Sequence, residues 1–167
     1  AGQHFFETDD PEDIAYKALA VNLSDIAAKG AKPLSFMLGI AFPEAPEVKW
    51  AESFTKGLQL TMQKFDLSLL GGDTTGTKGS LVISITIFGQ IEKGRMVKRS
   101  GANIGDQIYV SGTLGDAALG FKLRAAKEET KSWSLTNEEK AELLEKYLKP
   151  TPRCALSKLI KEYASSS

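Results

Sequence analysis

The chain has 167 residues, with 21 Lys+Arg, 21 Asp+Glu and a formal net charge of zero. This balance argues against a nucleic-acid binder, which usually carries a basic excess. The single cysteine, Cys154, excludes an internal disulfide and a thiolate metal cluster and favours a reducing compartment. No apolar run approaches the ~18 residues of a membrane span and no signal peptide is recognisable, so we expect a cytoplasmic protein without a membrane partner.

The chain opens on His4-Phe5-Phe6, which is typical of a strand end or a short loop, and His4 is the only histidine. Without further context, a surface or packing role is the simpler interpretation of that side chain. A helix is then predicted from Asp10, which can cap it, with Pro11 at the first helical position. Gly30 is a natural stop for this helix.

Two polar residues interrupt the apolar middle of this first helix. From residue 18 to 28 the sequence is apolar on nearly every side, which predicts a buried helix. Asn22 and Asp25 share one face of it, three residues apart. A buried carboxylate requires a partner, so Asp25 is predicted to meet a base, several donors or a metal ion. A hydrogen bond to neighbouring backbone is the alternative.

A strand, a helix and two strands are predicted next. The strand spans 33–43, and the helix presents an apolar face made by Ala51, Phe54, Leu58, Met62 and Phe65. Gly57 inside this helix indicates close packing or a nearby ligand, or is simply tolerated. Strands are predicted at 67–70 and 80–91. Assuming that a first strand is missing, we interpret this region as a domain of the split β-α-β-β-α-β type.

The predicted strand at 67–70 leads into Gly71-Gly72-Asp73-Thr74-Thr75, which we interpret as a ligand loop. Glycines let backbone approach a ligand, an acid can hold Mg²⁺, and free N–H groups and hydroxyls can hold phosphate. The alternative is a turn in which Asp73 bonds its own backbone. A basic connector, residues 93–99, follows the last strand. Arg99 in it is a candidate to bind phosphate, and the alternative is a solvated surface loop.

The connector is the predicted domain boundary, with one domain at 1–93 and the beginning of another at 94–167. A short strand is predicted at 108–112, then a helix that ends near Lys127. Thr113 is expected to cap that helix, with Asp116 as an acid at its start. Thr136 opens a second capping box for a helix to Lys149, and a last helix is predicted at 153–164.

The motifs together resemble the aminoimidazole-ribonucleotide synthetase superfamily, and within it the thiamine-monophosphate kinase branch. The resemblance rests on blocks that follow the same order and spacing along nearly the whole chain. These are His4-Phe5, Lys17 to Pro33, Gly71 to Thr75, Gly94-Arg95, Arg99-Ser100-Gly101-Ala102, Gly105-Asp106, Gly112 to Ala118 and the region from Tyr147 to Arg153.

This resemblance implies a kinase that uses ATP and Mg²⁺ to convert thiamine monophosphate to thiamine diphosphate, without a protein nucleophile. It implies an α+β (α/β sandwich) fold and a homodimer whose N-terminal sheets form a barrel, with nucleotide near the partner subunit. By position, Asp25 and Asp73 would bind Mg²⁺, Gly72 and Asp73 would touch ATP, Arg99 would contact its phosphates, and His4 would contact the thiamine substrate.

The chain also departs from the family's pattern. Family members carry an acidic segment before His4, and an Asp-Ile-Ser-Asp-Gly-type motif beyond the last helix, so we expect a first domain without its first strand and an incomplete second domain. Two alternatives remain open. One is a selenophosphate synthetase-like or hydrogenase maturation-like member of the superfamily, and the other is a non-catalytic dimerisation module.

Overall fold

The computed structural model describes all residues from 1 to 167, and they form two compact units. Unit 1 comprises residues 1–107 and 152–167, and unit 2 comprises residues 108–151. Unit 1 holds α1 (Pro11–Ala28), β1 (Lys32–Phe42), α2 (Val48–Phe65), β2 (Ser68–Gly76) and β3 (Val82–Gln90). The predicted order of helix, strand, helix, strand, strand is confirmed, and with it the α+β class. The predicted β-α-β-β-α-β arrangement is wrong, because α2 precedes both β2 and β3, so that a strand before α1 would give β-α-β-α-β-β. No helix reaches the length and apolarity needed to cross a membrane.

The ends of α1 follow the predicted capping chemistry. The Asp10 side chain accepts the Glu12 N–H at 2.8 Å, and Pro11 occupies the first helical position. At the other end, Gly30 has a φ of +73°, a conformation that favours glycine over any other residue. The helix therefore ends where the sequence indicates.

The sheet of unit 1 has the order β2-β1-β3, with β1 parallel to β2 and antiparallel to β3. Alternate side chains of β1 and β3 enter a core shared with α1 and α2. The buried members of this core are Ile14, Ala15, Leu19, Leu23, Phe36, Ile40, Phe54, Leu58, Leu67 and Leu81. Strand alternation sends the remaining side chains to the opposite face, where Met37, Val82 and Phe88 are 44%, 54% and 43% exposed. We call this bare surface of the sheet the open face.

Gly57 of α2 owes its identity to helix packing. A Cβ at this position would lie 2.7 Å from Glu12 Cα and 3.0 Å from Ala15 Cβ, both on α1. Because backbone cannot move aside as a flexible side chain can, only glycine lets the two helices approach this closely. Of the three explanations open from sequence, close packing is the one that the structure supports.

The Gly-Gly-Asp motif lies within a strand, so the predicted loop is wrong. β2 continues through it, and residues 71 to 76 pair in register with Met37 to Phe42 of β1. The register shifts opposite Phe36 and Met37, where β2 carries one additional residue, Leu70. A Cβ on Gly72 would collide with the Leu38 carbonyl, so the absence of a side chain here lets β2 lie close to β1. The strand was predicted to end where the apolar run ends, at Leu70, because glycine is rare inside strands.

Unit 2 consists of α3 (Asp116–Arg124), a 3₁₀ turn at Glu128–Ser132 and α4 (Asn137–Leu148). The two helices pack closely at Gly120, where a Cβ would lie 2.8 Å from Tyr147 Cβ. Tyr147 is buried and its ring lies 5.8 Å from that of Phe121. The capping box at Thr136 is confirmed, because the Thr136 hydroxyl accepts the Glu139 N–H and the Glu139 carboxylate accepts the Thr136 N–H.

Three predictions for the second half of the chain are wrong in detail. Residues 108–112 form no strand, because no other segment pairs with them, and Ile108 is 98% exposed. Gly115, not Thr113, is the N-cap of α3, and the Thr113 hydroxyl donates instead to the Asp116 carboxylate. The last predicted helix is divided into a 3₁₀ turn, Cys154–Leu156, and α5 (Ser157–Tyr163). The domain boundary after residue 93 stays a prediction.

Candidate functional site

Asp73 lies on the open face of the sheet. It pairs with Gly39 of β1, which pairs in turn with Ser84 of β3, so the three residues form one row across the sheet. Residues paired in register lie on the same face of a sheet. Side chains of β1 alternate between the two faces, and Gly39 lies on the face opposite to the buried Phe36 and Ile40. Because Gly39 has no side chain, the row leaves open space beside the Asp73 carboxylate. Asp73 is exposed and its side chain is available to a ligand.

Asp25 is exposed, so the prediction of a buried carboxylate in need of a partner is wrong. The helix α1 packs on α2 and the sheet through one side, formed by residues such as Leu19 and Leu23, while Val21 on the other side is 46% exposed. Apolar residues occur on nearly every side of this helix, so the sequence does not indicate which side is buried. Asn22, on the same turn, donates to the Ala18 carbonyl at 2.8 Å. The metal role of Asp25 therefore cannot rest on burial.

The two predicted metal ligands lie far apart within one chain. Ile26, next to Asp25, packs against Gly89, where an added Cβ would lie 2.9 Å from Ile26 Cγ2. Gly89 pairs near the beginning of β1, whereas Asp73 pairs with Gly39, about 20 Å farther along the strand. No group of three or more His, Cys, Asp or Glu side chains is placed to hold a metal. The pairing thus places the two acids toward different ends of the sheet, and their metal roles stay predictions.

The basic connector lies at the same end of unit 1 as Asp25. Val97 is buried and its N–H donates to the Lys29 carbonyl at 3.2 Å, just after α1 ends. Arg99, two residues farther on, is exposed. Because Lys29 follows Asp25 by one helical turn, the connector and Asp25 occupy neighbouring surfaces. This end therefore combines a carboxylate with an arginine.

A cleft of about 270 Å³ lies beside the connector, and sequence reasoning missed it. Three basic residues, Arg95, Lys98 and Lys161, belong to its lining, while Arg99 does not. Lys161 is paired with Glu92 at 2.9 Å, which lowers the pKa of that carboxyl, chiefly through the hydrogen bond. Since Lys161 comes from α5, only the fold brings these charges together.

His4 lies near the opposite end of unit 1. It is exposed, within a short segment that precedes α1, and the next residue, Phe5, packs against the core. The Ala1 nitrogen donates to the Leu81 carbonyl at 2.5 Å, immediately before β3 begins. β3 is antiparallel to β1, so the segment lies toward the end of the sheet where β2 finishes after Asp73. The His4 segment and Asp73 are thus on the same half of unit 1.

Sequence reasoning also missed a buried carboxylate in the segment that follows His4. Asp9 is only 7% exposed, and its carboxylate accepts the Phe6 N–H at 2.8 Å. Lys17 of α1 is partly buried, and burial lowers its pKa to about 8, against the opposing effect of the Asp9 charge. The sole signal in the sequence is an acid directly before the helix cap, followed two turns later by a lysine.

The comparisons with known proteins agree with this architecture. The family described as AIR synthase related protein, N-terminal domain, matches residues 1–91, and the chain belongs to this family. The thiamine-monophosphate kinase of Salmonella typhimurium is 42% identical over 172 residues, covering 100% of this chain and 49% of its own length. The chain spans about half the length of the curated relatives it matches.

Two solved structures share the fold over almost the whole chain. The structure of AaThiL complexed with AMPPCP and TMP superposes with a TM-score of 0.87 at 31% identity, covering 99% of this chain and 51% of that one. The thiamine-monophosphate kinase of Stenotrophomonas maltophilia gives a TM-score of 0.83 at 38% identity, covering 99% and 52%. The likeness to thiamine-monophosphate kinases therefore extends well beyond residue 91, to the end of the chain.

Proposed function

We propose that the protein is a thiamine-monophosphate kinase, which transfers the γ-phosphoryl group of ATP directly to thiamine monophosphate and releases thiamine diphosphate. The observation that carries this proposal is the 42% identity to a curated thiamine-monophosphate kinase over the full length of the chain. Residues 92–167, beyond the family match, share in that similarity. The bound AMPPCP and TMP of the homologous structure correspond to the two proposed substrate classes.

The proposed roles follow the chemistry of the exposed groups. Asp73 would hold Mg²⁺ and contact ATP together with Gly72, and Asp25 would hold Mg²⁺ at the other end of unit 1. Mg²⁺ typically keeps several waters and takes only one or two carboxylates besides phosphate oxygens. Single, separated acids fit that coordination, provided that they serve different ions or meet in an assembly of two chains. Bound Mg²⁺ supplies charge neutralisation to the phosphates.

Arg99 and His4 would act on the two substrates. The Arg99 guanidinium offers a planar fork of donors that suits phosphate oxygens, and the exposed connector leaves it free to turn toward the nucleotide. His4 would contact thiamine monophosphate. Phosphoryl transfer mainly requires that the reacting groups be positioned and their charge neutralised, so no nucleophilic side chain is assigned.

We also propose a homodimer in which two open faces meet. This face is bare in one chain, although it exposes Met37, Val82 and Phe88. Apolar surface of this kind is stabilised by burial. A barrel made from two such sheets, each completed by a first strand, would cover it and would bring the partner subunit near the nucleotide.

Calorimetry tests the proposed nucleotide site. The non-hydrolysable analogue AMPPCP is titrated into the full-length protein with and without Mg²⁺, before and after addition of thiamine monophosphate. We expect binding that requires Mg²⁺, and binding of thiamine monophosphate to the nucleotide complex. A non-catalytic module would bind neither ligand, and a superfamily member with another acceptor would bind the nucleotide alone.

A further inference from the structure

The backbone that carries Arg99 is held by a distant part of the chain. Three serines, residues 165–167, follow α5, and we call them the serine segment. The Ser166 hydroxyl donates to the Arg99 carbonyl at 2.8 Å, and it lies 3.2 Å from the carbonyl oxygen of Lys98. Ser166 is half-buried there, whereas Arg99 is exposed. A residue that follows Arg99 by 67 positions thus contacts its backbone directly.

The serine segment also contacts the chain just beyond Arg99. The Ser165 hydroxyl donates to the Asp106 carboxylate at 2.6 Å, and this bond is the largest cause of the lowered pKa of that carboxyl. Gly101 approaches the Ser165 carbonyl so closely that an added Cβ would collide with its oxygen. Gly101 also has a φ of +143°, which favours glycine. Hydroxyl bonds and close backbone packing therefore attach the two stretches to each other.

A second element, the end of α1, holds the connector on the other flank of Arg99 in sequence. The Val97 side chain is buried, and the Val97 N–H donates to the Lys29 carbonyl at 3.2 Å. The backbone is thus attached at Val97 by α1 and at Arg99 by Ser166. These attachments limit the directions in which the Arg99 side chain can leave the surface.

An ordered backbone favours binding of a charged ligand by an exposed side chain. A mobile loop would lose conformational entropy when its arginine bound phosphate, and that loss would reduce the affinity. A loop fixed beforehand avoids most of this cost. The Ser165 and Ser166 hydroxyl protons are both used in bonds to the protein, so the effect of these serines on a ligand is indirect.

We propose that Ser166, assisted by Ser165, is a positioning residue that fixes the connector so that the Arg99 guanidinium meets the phosphates of the nucleotide. This inference rests on the proposed function, because it takes Arg99 to bind the phosphates of ATP. Ser166 touches neither substrate and acts through the backbone of Arg99.

A double-mutant cycle in the full-length enzyme tests this proposal. Ser166→Ala, Arg99→Ala and the combined variant are compared for Mg²⁺-dependent affinity for AMPPCP and for the KM of each substrate. We expect Ser166→Ala to weaken AMPPCP binding and to raise the KM of ATP about fivefold, with the KM of thiamine monophosphate unchanged. The combined variant should bind AMPPCP no more weakly than Arg99→Ala alone. Multiplicative effects, or unchanged AMPPCP affinity in a folded Ser166→Ala protein, would overturn the proposal.

Ser157→Ala is the matched control. Ser157 is half-buried like Ser166, and its hydroxyl also donates to a backbone carbonyl, that of Cys154, at 2.9 Å, but within its own turn. We expect its loss to leave AMPPCP affinity unchanged. If Ser166→Ala does not fold, Ser165→Ala replaces it, because Ser165 is exposed and its hydroxyl contacts only Asp106. Weaker AMPPCP binding is then expected, and its absence contradicts the proposal.

The proposed function and this inference fail in different ways. If the wild-type enzyme phosphorylates thiamine monophosphate but the cycle is multiplicative, only the positioning role is lost. If the wild-type enzyme does not accept thiamine monophosphate, the proposed function fails. Amide hydrogen exchange of residues 97–102 then tests the attachment itself. Faster exchange in Ser166→Ala than in Ser157→Ala supports it, and equal rates overturn it.

Discussion

Asp73 combines exposure with a place in a well-paired strand, so its charge can be removed without loss of packing. We expect Asp73→Asn to abolish Mg²⁺-dependent binding of AMPPCP to the full-length protein, because a neutral amide is a poor ligand for a hard cation. Calorimetry measures the binding and thermal unfolding checks the fold. Asp66→Asn is the control, since Asp66 is exposed and adopts a left-handed conformation that asparagine tolerates. Unchanged affinity in Asp73→Asn would contradict its metal role.

Arg99 tests whether the connector binds phosphate or is merely solvated. We expect Arg99→Ala to weaken binding of the nucleotide by about ten- to a hundredfold, because a charge-assisted contact to phosphate contributes roughly 1.5–3 kcal/mol. The melting temperature should stay unchanged because the side chain is exposed. Should the melting temperature fall while nucleotide affinity holds, Arg99 would have a structural role only. The measurement is the same titration, made at one fixed salt concentration.

At the scale of single elements, β2 shows how glycine serves sheet packing. We expect Gly72→Ala to lower the free energy of unfolding by about 1–3 kcal/mol, because the added Cβ would meet the Leu38 carbonyl. Gly76→Ala is the control in the same strand, since nothing lies within 4 Å of its Cβ position. Urea unfolding compares the two variants. Equal stability would mean that β2 moves away from β1 without cost.

The elements that sequence predicted well are those whose signals are local. Asp10, Pro11 and Gly30 define α1 through hydrogen bonds and φ preferences of their own neighbourhood. The strand through the Gly-Gly-Asp motif was missed because its pairing partner lies more than thirty residues away, at Met37–Phe42. The strand predicted at 108–112 fails for the converse reason, since an extended apolar pattern forms a strand only where another strand pairs with it.

The roles predicted for the site residues stay predictions, and their arrangement could not be predicted from the sequence. Asp73 and Arg99 are exposed, as ligand-binding groups must be, yet the separation of Asp25 from Asp73 follows from sheet register. The exposure of Asp25 depends on which side of a uniformly apolar helix faces the core. The burial of Asp9 depends on the path of the segment before α1, which the acid's place in the sequence does not determine. Such features require three-dimensional information.

At the scale of the whole molecule, the open face predicts self-association. We expect Phe88→Asp to convert the full-length protein from dimer to monomer, because a carboxylate on this face would be buried without a partner in the assembly. Sedimentation analysis measures the mass in solution. Val48→Asp is the control, since Val48 is 73% exposed at the start of α2, in the helical layer. A dimeric Phe88→Asp variant would show that the open face is not the interface.

The central claim is that this chain is part of an enzyme that moves the γ-phosphoryl group of ATP directly onto thiamine monophosphate. The most direct test incubates the full-length protein with Mg²⁺, thiamine monophosphate and ATP radiolabelled at the γ-phosphate, and then separates the products from the protein. We predict label in thiamine diphosphate, in amounts equal to the ADP formed, with none attached to the protein. Release of ADP without labelled thiamine diphosphate would contradict the proposed acceptor, and label attached to the protein during turnover would contradict direct transfer.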